Sequence, residues 1–248
     1  MRLTLLQTEP VWRDVARSIE QAERLLEGAG PADVYVLPEM WATGFDAELA
    51  EPTRRGSAEA LEWMTDAACR LDAAVAGTLP WPEADDGSWR NRFFFVTPQG
   101  VAAHYDKRHL FAPAREDRSF VAGEADTVVD WRGWRFRLQT CFDLRFPESG
   151  RNRRSEPYDA VLYAASWPAS RRRAWDALLV ARAIENQAYC VGVNRVGSDP
   201  YCAYNGGSAA VSPGGEVLCR LEGAAQAHTV ELDEGAIARQ RSRFATLA

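Results

Sequence analysis

The chain has 248 residues, of which 29 are basic and 35 acidic, and its formal net charge is −6. This acidic balance argues against a nucleic-acid-binding protein, because such proteins concentrate basic charge on one surface. No stretch approaches the roughly 20 apolar residues that a membrane-spanning helix needs, and the amino-terminal hydrophobic run is too short for a signal peptide. We therefore expect a cytoplasmic protein with neither nucleic acid nor membrane as a partner.

Strand and helix patterns alternate along the whole chain. The predicted strands are residues 3–7, 33–37, 73–79, 93–96, 101–105, 134–139, 159–165, 188–193, 208–211, 216–218 and 228–231. The predicted helices are residues 14–27, 57–71 and 172–187, with a further helix at the carboxyl end, and residues 80–90 and 108–127 are predicted to be loops. No repeat or linker interrupts this order. The sequence therefore predicts one α/β domain over residues 1–248, with helices packed on the outer faces of sheets.

The cysteines and histidines indicate neither a disulfide framework nor a metal site. The five cysteines are an odd number and include no CxxC pair, so we expect free thiols in a reducing compartment. The three histidines show no metal-ligand spacing with the cysteines. We therefore expect no zinc site.

One cysteine, Cys141, stands where a predicted strand gives way to a turn. The preceding residues, WRFRL at 134–138, place apolar side chains on one face and arginines on the other, which is the period of a half-buried strand. Pro147 fits the first turn of a helix, where a missing N–H costs nothing. We therefore expect Cys141 on an exposed corner at the edge of a sheet, which suits a nucleophile and equally an inert thiol.

Two further reactive side chains follow predicted strands. Glu39 comes after the strand at 33–37, and Lys107 after the strand at 101–105. Each alone is ordinary, but open sheets place ligand sites at such strand ends. Together with Cys141 they supply what thiol acyl transfer requires: a nucleophile, a carboxylate base and a cation for the oxyanion. A serine or histidine scheme fits poorly, since the chain contains no GxSxG elbow.

Several motifs in the chain resemble those of the nitrilase (carbon–nitrogen hydrolase) superfamily, and within it the omega-amidase branch. The matching stretches are LPEM at 37–40, TGF at 43–45, YDKRHLF at 105–111, TCFDLRFP at 140–147, ASWPA at 165–169, ARAIENQ at 181–187, NRVG at 194–197 and GGS at 206–208. They cover most of the chain in the family's order.

The resemblance implies a catalytic Glu-Lys-Cys triad. Glu39 would be the general base and acid and Cys141 the nucleophile, while Lys107 and the backbone N–H of Phe142 would bind the oxyanion. A second glutamate of the family, which lies near the lysine, is assigned to Glu116, although Asp117 is adjacent.

The resemblance also implies the architecture. The expected fold is a four-layer α-β-β-α sandwich that needs no cofactor. A homodimer is expected, although members of the branch often continue with an acidic tail beyond the end of this chain at residues 244–248, and that tail supports pairing.

Omega-amidases hydrolyse the terminal amide of short α-keto acid amides such as α-ketoglutaramate and α-ketosuccinamate. Such a substrate carries a carboxylate, for which the candidate cations are Arg145 and Arg171. The structural alternatives are a salt bridge of Arg145 with Glu148 or Asp143, and a solvated surface charge for Arg171. The remaining two candidates, Phe45 and Trp167, are pocket walls or ordinary core aromatics.

Other readings stay open from the sequence. The same triad serves nitriles, N-carbamoyl amino acids and deaminated glutathione, although the absence of obvious insertions favours a small amidase. A different class of protein would use Cys141 as a redox-sensing thiol, with Cys190 or Cys202 approaching in space, or would be a non-catalytic binding module.

Overall fold

The structure is a computed structural model that describes residues 1–244 and 247. The carboxyl-terminal stretch considered for dimer contacts therefore lies partly outside the described residues. The strands in the described part are β1 (Arg2–Gln7), β2 (Val34–Val36), β3 (Ala74–Pro82), β4 (Trp89–Thr97), β5 (Gly100–Asp106), β6 (Val128–Trp131), β7 (Trp134–Thr140), β8 (Ala160–Ala165), β9 (Tyr189–Asn194), β10 (Val196–Ser198), β11 (Ala203–Val211), β12 (Val217–Glu222) and β13 (Gln226–Glu231). The α-helices there are α1 (Val15–Gly28), α2 (Glu51–Leu71), α3 (Arg172–Asn186) and α4 (Glu234–Arg243), and none of them is long and apolar enough to cross a membrane.

The described strands form two mixed sheets. The first has the order β13-β1-β2-β3-β4-β5, and the second has the order β10-β11-β9-β8-β7-β6 with β12 added on β11. Each sheet has a parallel centre, β1-β2-β3 in one and β7-β8-β9 in the other, and antiparallel neighbours outside it. Parallel centres with helical crossovers explain why helix and strand patterns alternate in the sequence.

The two sheets pack face to face, and helices cover their outer faces. Successive side chains of a strand point to opposite faces, so Phe136 and Leu138 enter the apolar core between the sheets while Arg137 does not. On the outer face of the first sheet, α1 and α2 bury apolar side chains such as Met64. Trp175 of α3 covers the second sheet in the same way. This arrangement confirms the predicted four-layer α-β-β-α sandwich.

Several predicted boundaries were wrong. The second helix begins at Glu51 rather than Ser57, because Pro52 occupies its first turn, where its missing N–H is not needed. The loop at 80–90 is shorter than predicted, because β3 and β4 continue as a hairpin and pair as far as Pro82 and Trp89. Two short strands, β6 and β10, were missed.

The predicted surroundings of the cysteine were also wrong. β7 lies between β6 and β8 and is not at the sheet edge, and Cys141 is only 7% exposed. No helix starts at Pro147; instead a 3-10 turn, Cys141–Arg145, precedes it. The missed strand β6 explains why β7 is not an edge strand, since β6 pairs with residues 134–137 on its outer side. The burial of Cys141 comes instead from an apolar cluster that includes Trp167 and Trp175.

Candidate active site

A fully buried ion-pair cluster lies beyond the carboxyl ends of β2 and β5 in the first sheet, next to the residues that follow β8 in the second. Lys107 follows β5, and its Nζ lies 2.7 Å from Oε1 of Glu39 and 2.7 Å from Oε2 of Glu116. All three side chains are 0% exposed. Charges removed from water in this way persist only if they are paired and hydrogen-bonded, and here one ammonium group is shared by two carboxylates.

An asparagine completes this cluster from the neighbouring strand. Nδ2 of Asn91, on β4, donates to Oε1 of Glu39 and to Oε1 of Glu116, each over 2.8 Å. The Lys107 ammonium donates to the same two oxygens, over 2.7 and 3.0 Å. Two donors and two acceptors therefore alternate around a closed ring.

The second oxygen of Glu39 faces the other sheet. Oε2 accepts a hydrogen bond of 2.9 Å from the backbone N–H of Ser166, which follows β8, and Oγ of Ser166 donates to the Glu39 carbonyl. The next residue, Met40, has a φ of 45°, and its N–H donates to Thr78. The carboxylate is thus fixed from both sheets, and Oε2 keeps a lone pair for another donor.

Cys141 sits on a strained corner beside this cluster. Its φ of 43° lies in the left-handed region, which costs a non-glycine residue of order 1 kcal/mol and is concentrated at functional sites. The corner begins the 3-10 turn Cys141–Arg145. The first N–H groups of such a turn have no partner within it, so the turn presents the N–H of Phe142 next to the thiol.

One buried carboxylate ties the lysine loop to the cysteine turn. Asp143 accepts hydrogen bonds from the Tyr105 hydroxyl (2.8 Å), the N–H of His109 (2.9 Å) and the N–H of Thr140 (3.0 Å). Arg182 on α3 holds the same turn from behind by donating to the carbonyl of Leu144 over 2.6 Å. These contacts fix the relative position of the groups on the two sheets.

Burial and mutual charge set the protonation of the cluster. Burial alone would lower the pKa of Lys107, but the Glu116 and Glu39 carboxylates outweigh it and raise that pKa above its ordinary value. Burial raises the pKa of Glu116, against the opposing effect of Lys107. Burial also raises the pKa of the Cys141 thiol well above its ordinary value, and the Glu39 charge adds to this. The resting state is therefore a neutral thiol beside a charged lysine.

A cavity of about 790 Å³ opens from Cys141 to the surface. It is lined by Lys107 and Phe142 at its base and by arginines nearer its mouth. Those arginines are Arg115, Arg118, Arg145 and Arg171.

The charges that line the cavity differ in how they are bound. The carboxylate of Glu48 is paired with Arg13 over 2.7 Å, and Asp199 accepts hydrogen bonds from the Tyr204 hydroxyl and the N–H of Cys202. In the described part of the chain, none of the four arginines has a carboxylate partner. The cavity mouth therefore offers uncompensated positive charge to a solute.

The structure brings the predicted site residues together. This cavity is lined by Lys107, Cys141 and Phe142. It is also lined by all four predicted substrate-binding residues, which are Phe45, Arg145, Trp167 and Arg171. Glu39 and Glu116 stand behind them, bonded to Lys107. Asp117, the alternative to Glu116, is exposed.

The structural alternatives predicted for Arg145, Arg171 and Trp167 have different outcomes. Arg145 is not paired with Glu148 or Asp143; its guanidinium lies over the ring of Trp167, 5.0 Å from the centroid. Arg171 is half-buried, and its guanidinium lies 4.9 Å from the ring centroid of Phe111. The core interpretation of Trp167 is also correct, because its side chain is buried in the apolar cluster between α3 and the second sheet, and it lines the cavity as well.

Two of the other cysteines bear on the redox alternative. Cys202 lines the same cavity as Cys141. Cys190 does not line it and is buried in the apolar cluster between α3 and the second sheet, to which Cys141 also belongs. All five cysteines are free thiols in the structure. Among residues 1–244 and 247, no group of three or more histidine, cysteine or acidic side chains is arranged to hold a metal ion.

Sequence reasoning missed Asn91, Asp143 as a tether, and Ser166. A buried polar residue in a strand gives no pattern that separates a site residue from a core hydrogen bond. For Lys107 a stronger signal was available, since it is the only lysine among the 29 basic residues of the chain. A protein that otherwise uses arginine throughout has a lysine where a compact point charge meets two carboxylates.

Comparisons with known proteins agree with this geometry. The sequence model of the Carbon-nitrogen hydrolase family matches residues 2–241. The chain is 43% identical to omega-amidase YafV of Escherichia coli (strain K12) over 98% of this chain and 94% of that one, and 32% identical to 2-oxoglutaramate amidase of Bacillus subtilis (strain 168) over 96% and 93%. The crystal structure of XC1258 from Xanthomonas campestris, a CN-hydrolase superfamily protein with an arsenic adduct in its active site, superposes with a TM-score of 0.93 at 36% identity, covering 99% of this chain and 95% of that one. The chain therefore belongs to the carbon–nitrogen hydrolase family.

Proposed function

We propose that this protein is an omega-amidase that hydrolyses the terminal amide of short α-keto dicarboxylic acid monoamides, such as α-ketoglutaramate or α-ketosuccinamate. The observation that carries the proposal is the buried Glu39–Lys107–Glu116 cluster beside Cys141, at the base of a cavity. The mouth of this cavity bears arginines that have no carboxylate partner among residues 1–244 and 247. The cluster supports amide hydrolysis through a thiol, and the arginines support an anionic substrate. The names of the two relatives, an omega-amidase and a 2-oxoglutaramate amidase, support the same substrate class.

In the first half of the proposed reaction, Cys141 forms a thioester with the substrate. As Sγ attacks the amide carbon, the thiol proton passes to Oε2 of Glu39, because Oε1 is already occupied by Lys107 and Asn91. The carbonyl π electrons move to oxygen, and the Lys107 ammonium and the Phe142 N–H stabilise that charge. When the intermediate collapses, the C–N bond breaks, and nitrogen takes the proton from Glu39 and leaves as ammonia.

In the second half, water regenerates the enzyme. Glu39 accepts a proton from water as its oxygen attacks the thioester carbon, and Lys107 again faces the oxyanion. Collapse breaks the C–S bond, and the departing sulfur takes the proton back from Glu39. The products are the keto dicarboxylic acid and ammonia, and every proton is accounted for without a cofactor. Glu116 takes no proton in this scheme; it holds the ammonium of Lys107 over 2.7 Å.

The substrate carboxylate is proposed to bind at Arg171 and Arg145. Both guanidinium groups lie over aromatic rings and have no carboxylate partner in the described residues, so each keeps N–H donors for a ligand. Phe45 and Trp167 are proposed as the aromatic walls of the pocket that holds the substrate.

The proposal is tested by measuring ammonia release from α-ketoglutaramate, α-ketosuccinamate, glutamine, a nitrile and an N-carbamoyl amino acid. We expect the two keto acid amides to be preferred and Cys141→Ala to be inactive, while Cys69→Ser, which changes an exposed thiol outside the cavity, keeps wild-type activity. Preference for the nitrile or the carbamoyl compound would reject the omega-amidase function within the same family. Wild-type ammonia release by Cys141→Ala would reject the mechanism.

A homodimer in the cytoplasm is also proposed. The resemblance to the family supports pairing through the helix that flanks the cysteine turn. On that helix, α3, Ile184 is 49% exposed although it is aliphatic, which favours a covered surface. Light scattering should give twice the monomer mass, and Ile184→Glu should reduce it.

A further inference from the structure

Asn91 is held in one orientation by its surroundings. Its Nδ2 has two carboxylate oxygens as acceptors, Oε1 of Glu39 and Oε1 of Glu116, each at 2.8 Å. Its Oδ1 is buried and has no partner among the described residues. The opposite amide orientation would place Oδ1 against two carboxylate oxygens, which repel it when both acids are ionised. Both N–H groups of this amide are therefore directed at the two acids.

We propose that Asn91 is a positioning residue for the reaction, one that holds the Glu39 and Glu116 carboxylates ionised next to each other so that Oε2 of Glu39 stays free to take the thiol proton. This inference rests on the proposed function, since it assigns Glu39 the role of base. It adds a fourth side chain to the site, one that touches neither substrate nor sulfur.

The need for such a residue follows from the charges. Two carboxylates share one ammonium group, so Lys107 compensates only one of their two negative charges. In a fully buried site, two carboxylates that accept hydrogen bonds from the same donors repel each other, and this repulsion favours protonation of one acid. An amide that donates to both oxygens opposes that protonation without adding a charge. Burial raises the pKa of Glu116 overall, and the Asn91 hydrogen bond acts against this rise together with Lys107.

Asn91 also acts on the backbone of the lysine. Its carbonyl accepts the N–H of Lys107 over 2.9 Å, and it lies on β4, which pairs with β5 directly before Lys107. The side chain and the main chain of one residue therefore fix the ammonium group and both of its acceptors together.

The test uses Asn91→Ala and Asn91→Ser in the full-length protein. The pH dependence of kcat/KM and the pH dependence of Cys141 alkylation by iodoacetamide are both measured. A carboxylate that loses a hydrogen bond becomes easier to protonate. In these variants Glu39 should therefore stop acting as the base at a higher pH than in the wild-type protein. We expect the acid limb of both profiles to move upward by about one pH unit in Asn91→Ala, and by less in Asn91→Ser, whose hydroxyl still offers one donor.

A matched control is Asn152→Ala. Asn152 is equally buried and also uses both side-chain N–H groups, but it donates to the backbone carbonyls of Tyr158 and Asn186. It should lower the melting temperature and leave both acid limbs in place. If Asn91→Ala behaves like this control, with a lower melting temperature and unmoved limbs, Asn91 is only structural and the proposal is wrong.

The alkylation profile separates this inference from the proposed function. If the wild-type protein hydrolyses none of the amides, the proposed function fails. The rate of Cys141 alkylation still depends on whether Glu39 can accept the thiol proton. A shifted alkylation limb in the Asn91 variants then supports the inference by itself. An unshifted limb overturns it whatever the substrate is.

Discussion

The base and the mouth of the cavity differ in whether their cationic side chains are ion-paired. At the base, Lys107 is completely buried and bonded to two carboxylates. At the mouth, four arginines have no acidic partner in the described residues, and two of them, Arg145 and Arg171, rest on aromatic rings. Both regions contain cationic side chains that line the same cavity.

This difference separates two uses of positive charge. A cation that stabilises a transition state must be in place before the reaction, and its pairing with fixed acids supplies that order. A cation that recognises a substrate needs free hydrogen-bond donors, which ion pairing would consume. Variants at the base should therefore change kcat and stability, and variants at the mouth should change KM.

The largest effect is expected for Lys107→Ala. It removes a proposed oxyanion donor, for which a loss of about 10²–10³ in rate is typical, and it leaves two carboxylates buried without a cation. Breaking a buried pair by removing one partner costs about 3–5 kcal/mol. Ammonia-release kinetics and urea unfolding check the two losses.

A second substitution separates those two losses. Adding Glu116→Gln to Lys107→Ala removes one stranded charge, so part of the free energy of unfolding should return while the rate does not. If the rate returned as well, Lys107 would be holding the fold rather than the oxyanion.

Arg171→Ala tests the mouth with an intermediate effect. Loss of a hydrogen bond to a charged group is worth about 1.5–3 kcal/mol, so we expect KM for α-ketoglutaramate to rise about 10- to 100-fold with little change in kcat. Arg173→Ala is the matched control, because Arg173 is an exposed neighbour in the same run that does not line the cavity. An unchanged KM for Arg171→Ala would remove the carboxylate role from this residue.

The smallest effect concerns the outer arginines. Arg115 and Arg118 are exposed at the mouth, where they raise the local concentration of anions, and salt screens this attraction. For the keto acid amide, kcat/KM should fall a few-fold between low and physiological salt. A neutral amide should show no such decrease, and the Arg115→Ala/Arg118→Ala double variant should lose most of the dependence. Equal salt dependence for both substrates would show that the mouth does not select by charge.

The sequence predicted the layered fold because strand periods and helix ends are local properties. Phe136 and Arg137 alternate on the two faces of β7 as expected. It did not predict the burial of Cys141, because this residue packs in an apolar cluster with side chains such as Trp167 and Trp175, which lie far from it in the chain. The residues that family motifs mark as a candidate site lie together in the structure, whereas a residue that only completes a hydrogen-bond ring, such as Asn91, gave no sequence signal.

The scarcity of lysine has a practical consequence. The chain has a single ε-amine, and it is completely buried and paired with two carboxylates, so an acylating reagent attacks it only when those ion pairs open and the ammonium group loses its proton. The rate at which Lys107 is acylated, followed by mass spectrometry of the modified peptide, therefore measures an opening equilibrium at one atom. Its dependence on denaturant distinguishes a local fluctuation between the two sheets from unfolding of the whole protein.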